Sequence, residues 1–276
     1  MKRMEIAVCN NNIMKLEAIK QYWNEHIHDL KIARHPVGTE GFFKDLEQYR
    51  FEKLDYLPIL VDFSKYNKKQ ILEIGCGVGI DLIRFARNGA KVTGVDLAEK
   101  SIDLAKKNFA FNGVEGDLRV MNGEQLEFDD NSFDVVYAHG VIQYTACDEK
   151  MIDEIFRVLK PGGEAIMMVY NKYSWLNLMS KLFKTELEHE DAPVINKYSI
   201  WQVKNMLHMF SMVRIITERF PVKTRLHQGL KARIFNNAFV PLFNIIPRSI
   251  VRPAGWHIMI FAYKQEQYEK GYSKAV

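Results

Sequence analysis

Cysteine is scarce in this chain: Cys9, Cys76 and Cys147 are the only three in 276 residues. Their wide separation argues against a disulfide framework and against a cysteine-rich zinc site, and it fits a reducing, cytoplasmic setting. No window approaches the roughly 18 uninterrupted apolar residues that a membrane-spanning helix needs, which excludes one. The short apolar stretch behind Met1-Lys2-Arg3-Met4-Glu5 offers no core for a secretory leader, so none is expected. Sixteen glycines and eight prolines without an internal repeat exclude collagen-like and low-complexity classes. Acid is missing from one long segment. Between Arg219 and Gln265 there is no Asp or Glu, while Arg219, Lys223, Arg225, Lys231, Arg233, Arg248, Arg252 and Lys264 all fall there. The opposite bias surrounds His189, with Glu186, Glu188, Glu190 and Asp191. His26 and His28 form a His-x-His pair that lacks a third ligand, and no metal is expected.

What is present is an ordinary globular balance, 47% apolar and 26% charged with a net charge of +4. The length allows one sizeable α/β domain with decorations, or two small domains. Residues 1–66 read as a mixed, aromatic-rich helical segment, broken at Pro36-Val37-Gly38, with Thr39 a helix N-cap. Strands are expected at 70–74, 91–96, 118–121, 133–139, 164–170, 212–220 and 256–263. Helices are expected at 81–88, 99–111, 151–159 and 199–210, with a helix and loop somewhere in 172–193. Strands alternating with helices at this spacing predict an α/β fold with a doubly wound, mostly parallel sheet covered on both faces. The expected organisation is a helical cap over 1–66 and a main domain over 67–276, with an insertion at about 221–254. In that insertion Pro241, Pro247 and Pro253 should break any long helix.

The sharpest signal is Leu72-Glu73-Ile74-Gly75-Cys76-Gly77-Val78-Gly79. A strand ending in closely spaced glycines lets a ligand approach the backbone, and the next helix offers its N-terminal N–H groups. Ile80 stands where a dinucleotide fingerprint wants a third glycine, and Glu73 would repel a pyrophosphate but suits an ammonium-bearing ligand. Asp96 closes the second strand about 20 residues on, where a carboxylate can accept both hydroxyls of a ribose. Cys76, between glycines, reads as a small filler.

With these residues the chain resembles the class I S-adenosylmethionine-dependent methyltransferases, closest to the small-molecule branch that includes ubiquinone and menaquinone biosynthesis enzymes. The resemblance rests on Leu72–Asp81, Val92–Ala98, Asn122–Phe128, Ser132–Tyr144 and Val158–Gly163 in that order. It implies a Rossmann-like seven-stranded sheet and S-adenosyl-L-methionine as cofactor. By position, Gly75, Gly77 and Gly79 would carry the methionine part and Glu73 its ammonium. Asp96 would take the ribose, Leu97 would pack on adenine, and Asn122, Gly123 and Glu124 would form the adenine loop. Arg50 would close over the cofactor carboxylate.

Methyl transfer from a sulfonium is an in-line displacement, so the protein mainly aligns the reactants and removes a proton where the acceptor carries one. The candidates at strand ends are His139, Tyr144 and Asn171. His139 is expected to handle a proton or orient the acceptor, or else to hydrogen-bond on the cofactor side. The aromatic N-terminal segment and the apolar, basic insertion are expected to form the acceptor pocket and lid. The expected partner is a small, partly apolar acceptor (an O, S, N or C nucleophile), with an anionic group compatible. A nucleic-acid methyltransferase is the alternative, but no RNA-binding module or basic run supports it, and no nucleic acid is expected. A second alternative is a membrane-associated lipid or quinone enzyme, since basic residues stand beside Phe, Leu and Ile in the insertion. Asn-Pro-Pro-Tyr-like sequences of base- and amide-methylating relatives are absent.

Overall fold

The computed structural model describes residues 2–183, 187, 189–223 and 229–266, with the backbone alone for residues 2–13, 183 and 231. Glu186, Glu188 and Arg225, and the side chains of Cys9 and Lys231, therefore lie outside the described residues.

The chain opens with helices α1 (Lys2–Glu25), α2 (Glu40–Lys53) and α3 (Leu57–Val61). Thr39 caps α2 by accepting from the Phe42 amide at 3.3 Å, which satisfies one of the unpaired N–H groups at that terminus. Five strands and three helices follow: β1 (Gln70–Ile74), α4 (Ile80–Arg87), β2 (Lys91–Asp96), α5 (Glu99–Asn112), β3 (Asp117–Val120), β4 (Phe133–His139), α6 (Asp148–Val158) and β5 (Leu159–Tyr170). The remainder is α7 (Trp175–Phe183), α8 (Ile200–Met206), β6 (Met212–Glu218), α9 (Leu230–Ile234), a π-helical turn (Phe235–Phe239), α10 (Val240–Ile245), α11 (Arg248–Val251) and β7 (His257–Tyr263).

The seven strands form one sheet in the order β3-β2-β1-β4-β5-β7-β6. β1 through β5 pair in parallel, and β7 runs antiparallel to both β5 and β6. Because successive side chains of a strand point to opposite faces, each strand feeds two cores. Leu72, Val136, Ala138, Met167 and Ile260 pack under α6 and α8 with Met151, Ile155 and Val203. Ile71, Val135, Tyr137, Ile166 and Phe261 pack under α4, α5 and α3 with Leu82, Phe85, Ile102 and Leu57. A third cluster seats α2 on the glycine loop, with Phe42, Phe43 and Leu46 against Val78 and Leu104. That contact carries Arg50, one turn further along α2, over the C-terminal ends of the strands.

Two local expectations change. β5 spans Leu159 to Tyr170, but its register against β4 jumps from Phe133–Leu159 to Val135–Glu164, so the turn expected at Pro161-Gly162-Gly163 is a bulge inside the strand, with Gly162 at a φ of +77°. Pro241 does not break its helix: α9, the π turn and α10 run on as one rod from Leu230 to Ile245. Proline lacks the N–H that would bond four residues back, and a π turn just before it absorbs that gap by local unwinding.

Candidate active site

The chain winds from β1 to β2 and β3 on one side, then returns to β4 on the other, so the sheet reverses direction between β1 and β4. Crevices at such a switch point, outside the carboxyl ends of the strands, are where open α/β sheets bind ligands. A pocket lies there, lined by the glycine loop, Asp96, Leu97, Asn122 to Glu124, His139 and Arg50. Gly75, Gly77 and Gly79 all hold positive φ, at +68°, +53° and +78°. At Gly75 a Cβ would come within 2.6 Å of Val141, and at Gly79 within 2.9 Å of Phe109, while at Gly77 it would meet nothing within 4 Å. The loop is thus packed from behind at both ends and open over Gly77, where a ligand can lie against the backbone. Asp96 braces the loop by accepting from the Gly77 amide at 2.9 Å and the Ala98 amide at 2.8 Å. Each carboxylate oxygen retains a lone pair for a further donor. Burial pushes its pKa up against these bonds. Asn122 accepts from the Glu124 amide at 3.0 Å, and Glu124 reaches the Ala146 amide at 2.7 Å, which fixes the loop after β3. Burial also pushes the Cys76 thiol up, which removes it as a nucleophile.

Behind the loop sits a buried charge cluster. Arg50 donates from Nε to Asp81 Oδ1 at 2.6 Å and from Nη2 to Asp81 Oδ2, and Tyr137 Oη donates to the same carboxylate at 2.8 Å. Burial alone would raise the Asp81 pKa, but the adjacent guanidinium outweighs it and holds the carboxyl below its ordinary range. Glu73 is 4% exposed, and its Oε2 has no hydrogen-bond partner among the described residues. Burial, with Asp81 close by, pushes Glu73 well above the usual carboxylate range. Of two buried acids sharing one arginine, Asp81 keeps the cation and Glu73 is left short of positive charge. An unpaired buried carboxyl oxygen is costly, and an ammonium group of a ligand would relieve it. Arg50 makes no hydrogen bond through Nη1 among the described residues, which leaves donors for a ligand carboxylate.

His139 stacks on Tyr137 with ring centroids 6.0 Å apart, and its Nδ1 lies 3.3 Å from Arg50 Nη2. Since a guanidinium can only donate, Nδ1 accepts and Nε2 carries the proton. That Nε2–H is buried and unpartnered among the described residues. Burial, reinforced by Arg50, pushes the His139 pKa down to about 3. In the free protein His139 is thus a neutral donor lining the pocket, which suits the expected hydrogen-bonding role better than proton transfer near neutrality.

Beyond His139 the pocket changes character. Trp23, Tyr144 and Tyr170 form an aromatic wall, with Trp23 edge-on to Tyr144 at 5.0 Å and Tyr144 Oη donating to Tyr170 Oη at 3.2 Å. His257 is buried, and its Nε2 accepts from Arg219 Nη1 at 3.0 Å while Tyr56 Oη lies 2.5 Å from its Nδ1. Burial, then Arg219, push His257 well below its ordinary pKa, so it too is neutral. Arg219 lines the pocket at a backbone φ of +61°, a conformation that non-glycine residues seldom adopt and that concentrates at functional sites. No carboxylate pairs with Arg219 among the described residues.

The expected site residues Glu73, Gly75, Gly77, Asp96, Leu97, Asn122, Gly123, Glu124, Arg50, His139 and Tyr144 all line this one pocket, with Gly79 directly beneath. Asn171 does not line it. Its amide donates to the Pro253 and Gly255 carbonyls at 3.0 and 2.8 Å and its oxygen accepts from the Tyr173 amide, so the side chain ties β5 to the segment entering β7. The insertion helices also stay out of the pocket, and α1 supplies the cover through Leu16, Ile19 and Trp23. Sequence reasoning missed Asp81, Tyr137, Tyr56, Arg219 and His257. Arg219 opens the acid-free stretch, and Asp81, Tyr137 and His257 lie in segments that were read as the end of the glycine loop, the fourth strand and the last strand, while Tyr56 had no signal of its own.

Residues 72–167 match the family described as "Methyltransferase domain". The chain is 30% identical over 154 residues to a ubiquinone biosynthesis O-methyltransferase of Bartonella tribocorum, covering 52% of this chain and 62% of that protein. It is 29% identical over 231 residues to a sterol 4-C-methyltransferase of Caenorhabditis elegans, covering 83% and 64%. It thus spans just under two thirds of the length of these curated relatives. Among solved structures, the YcgJ protein of Bacillus subtilis superposes with a TM-score of 0.57 at 18% identity, over 77% of this chain and 99% of that one. A SAM-dependent methyltransferase of Aquifex aeolicus gives 0.53 at 17% identity, over 80% and 96%. At that identity the superpositions speak for the fold, and they agree with the seven-stranded sheet.

Proposed function

We propose that this chain, which carries a class I S-adenosylmethionine-dependent methyltransferase domain over residues 72–167, methylates a small, partly apolar acceptor that reacts as an oxygen or sulfur anion. The residues fit the cofactor. Glu73 Oε2 is short of a cation, Arg50 uses Nε and Nη2 for Asp81 and leaves Nη1 without a hydrogen bond among the described residues, and the backbone over Gly77 is open. In this reading Glu73 holds the ammonium, Arg50 the carboxylate and Asp96 the ribose hydroxyls, while Leu97 and Asn122 to Glu124 flank the adenine. When bound, S-adenosylmethionine supplies a methyl group on a sulfonium, already a good leaving group, so alignment is the main demand on the protein. Residues 1–66 act as a cap on the methyltransferase part at 67–276, and a cytoplasmic setting accords with the free thiols of Cys76 and Cys147.

The observation that carries the acceptor assignment is Arg219, a pocket cation with no carboxylate partner among the described residues, beside two histidines held neutral by burial. Neither of these two histidines takes a proton near neutrality. A nearby guanidinium stabilises an anion within about 4–6 Å, so the acceptor's own ionisation takes the place of a protein base. Tyr144, Tyr170 and Trp23 provide the apolar wall, and the His139 Nε2–H orients an oxygen. The ubiquinone O-methyltransferase likeness supports this reading, because a phenol is an acceptor of that kind. The test is a series of phenols and thiols of graded pKa, with methylated product quantified by mass spectrometry across pH. Midpoints that follow the acceptor's pKa support the reading. A midpoint that stays fixed across the series would mean that a protein group takes the proton, and would reject it.

A further inference from the structure

Ten of the 18 large apolar side chains that are exposed among the described residues fall in two short stretches, 173–182 and 222–250. Leu178, Leu182, Leu230, Leu242, Ile245 and Ile250 are each between 66% and 77% exposed. Their clustering is built by the fold. Trp175 of α7 packs against Phe235, Phe239 and Phe243 at ring distances of 6.2 to 6.4 Å, and Phe220 meets Phe243 at 6.2 Å. These aromatic contacts, with Ala232, Val240 and Val251 buried beneath, use up the inner face of the rod from Leu230 to Ile245. Its outer face carries Leu230, Ile234, Leu242 and Ile245 beside Arg233, Asn237 and Asn244. Large aliphatic side chains interspersed with basic and polar ones on a surface helix suit the boundary between water and an apolar phase.

Charge identifies the occupant. The segment from Arg219 to Gln265 holds no acid, and the exposed Lys223, Arg233 and Arg248 fall in the same stretch as the aliphatic side chains, with Lys181 on α7, while Arg252 lies 3.8 Å from Glu218. We propose that this face docks the protein on an anionic lipid bilayer surface, with the aliphatic side chains entering the acyl boundary and the basic ones at the headgroups. Interleaved Leu, Ile, Lys and Arg on a short surface helix are the composition that interfacial binding requires. A second copy of the chain fits less well, because two-fold pairing would face like charges with each other. Nucleic acid would leave the aliphatics without a partner, since single strands are held by aromatic stacking and duplexes by phosphate contacts. The surface adjoins the acceptor end of the pocket: Trp175 Nε1 donates to the Arg219 carbonyl at 2.9 Å, and Thr217 Oγ1 donates to the Arg252 carbonyl. Docking there would bring Arg219 near the headgroup level.

The inference does not depend on methyl transfer, and its test reads membrane binding alone. The full chain is sedimented with vesicles of phosphatidylcholine, and with vesicles containing about 30 mol% phosphatidylglycerol, at low and at physiological salt. Binding is expected to the anionic vesicles, weakening with salt. The Arg233→Gln and Arg248→Gln variants should each lose about fivefold, the worth of one basic residue near such a surface. The Leu242→Glu/Ile245→Glu double variant should lose it entirely. Both positions are exposed, and an unchanged thermal melt and unchanged S-adenosylmethionine affinity will show that the variant is folded. Equal binding to both vesicle types, full binding by the Glu variant, or a dimer in light scattering that the Glu variant dissolves would each overturn the proposal. So would salt-sensitive binding to a random-sequence RNA in place of the vesicles.

Discussion

Removing the Asp81 charge tests the electrostatic logic of the site most severely. The Asp81 side chain is 1% exposed and that of Arg50 is 16% exposed, so this pair belongs to the buried regime, where stranding one partner costs about 3–5 kcal/mol. Asp81→Asn keeps the volume and an acceptor for Tyr137, and strands the guanidinium. Glu73 then matters: with Asp81 neutral, the repulsion that helps keep Glu73 protonated disappears, and Glu73 can ionise beside Arg50. That relay places Asp81→Asn at the low end, about 3 kcal/mol. Arg50→Met leaves two acids without a cation and should cost at least as much. The double variant Arg50→Met/Asp81→Asn carries neither charge and should lose about 3–4 kcal/mol, well short of the ~6 kcal/mol that addition of the singles gives. Urea unfolding followed by tryptophan fluorescence, with the apo protein at pH 7, reads all four corners of the cycle. A double variant whose loss equals the sum of the singles to within about 0.5 kcal/mol would refute the coupling on which the site description rests.

Glu73 should give up a proton when the cofactor's ammonium arrives, because its pKa is raised in the free protein. S-adenosylmethionine affinity should then rise with pH until Glu73 is ionised in the free state. The calorimetric heat should differ between phosphate and Tris buffers, a difference that Glu73→Gln abolishes. His139 works in the opposite direction on stability. Its pKa is about 3 folded and near 6.5 unfolded, so below pH 6.5 the unfolded chain binds the extra proton and stability falls as pH drops towards 3. Wild type should lose about 1.6 kcal/mol more than His139→Asn between pH 6.5 and 5, measured by urea unfolding at each pH. Gly75→Ala combines a positive φ of +68° with a Cβ placed 2.6 Å from Val141, and should cost about 2–3 kcal/mol by the same assay.

Where one side chain or one run carries its own signal, the sequence was readable. β1, β2, β4 and β7 stand out as short apolar runs because strands buried on both faces cannot alternate in polarity. The glycine loop and Asp96 were readable because backbone geometry demands those residue types at that spacing. Thr39 was readable as a cap for the same local reason. The Arg50–Asp81–Tyr137 cluster was not, because its members lie 31 and 56 residues apart and only the packing of α2 on the glycine loop brings them together. Asp81 alone looks like a favourable acid in the first turn of α4. His139 lines the pocket, as its place at the end of β4 suggested, but the burial and the Arg50 contact that lower its pKa are tertiary facts that the sequence does not carry. Asn171 sits at a strand end like the true pocket residues, and only its three backbone hydrogen bonds reveal that it is a tie. Pro247 and Pro253 do mark helix ends, and only Pro241 departs from the expectation, because a π turn leaves no composition signature.

The most direct test of the central claim is a calorimetric titration of S-adenosylmethionine into the wild-type protein and into Asp96→Asn. The amide keeps the carboxylate's shape and an acceptor for one of its two backbone partners, and removes the charge that would take the ribose hydroxyls. Micromolar binding to wild type, weakened about tenfold or more by the substitution, corresponds to at least ~1.4 kcal/mol and is the expected result. Folded wild-type protein that gives no binding, or an Asp96→Asn variant that binds as tightly as wild type, would contradict the placement of the cofactor between Glu73 and Asp96.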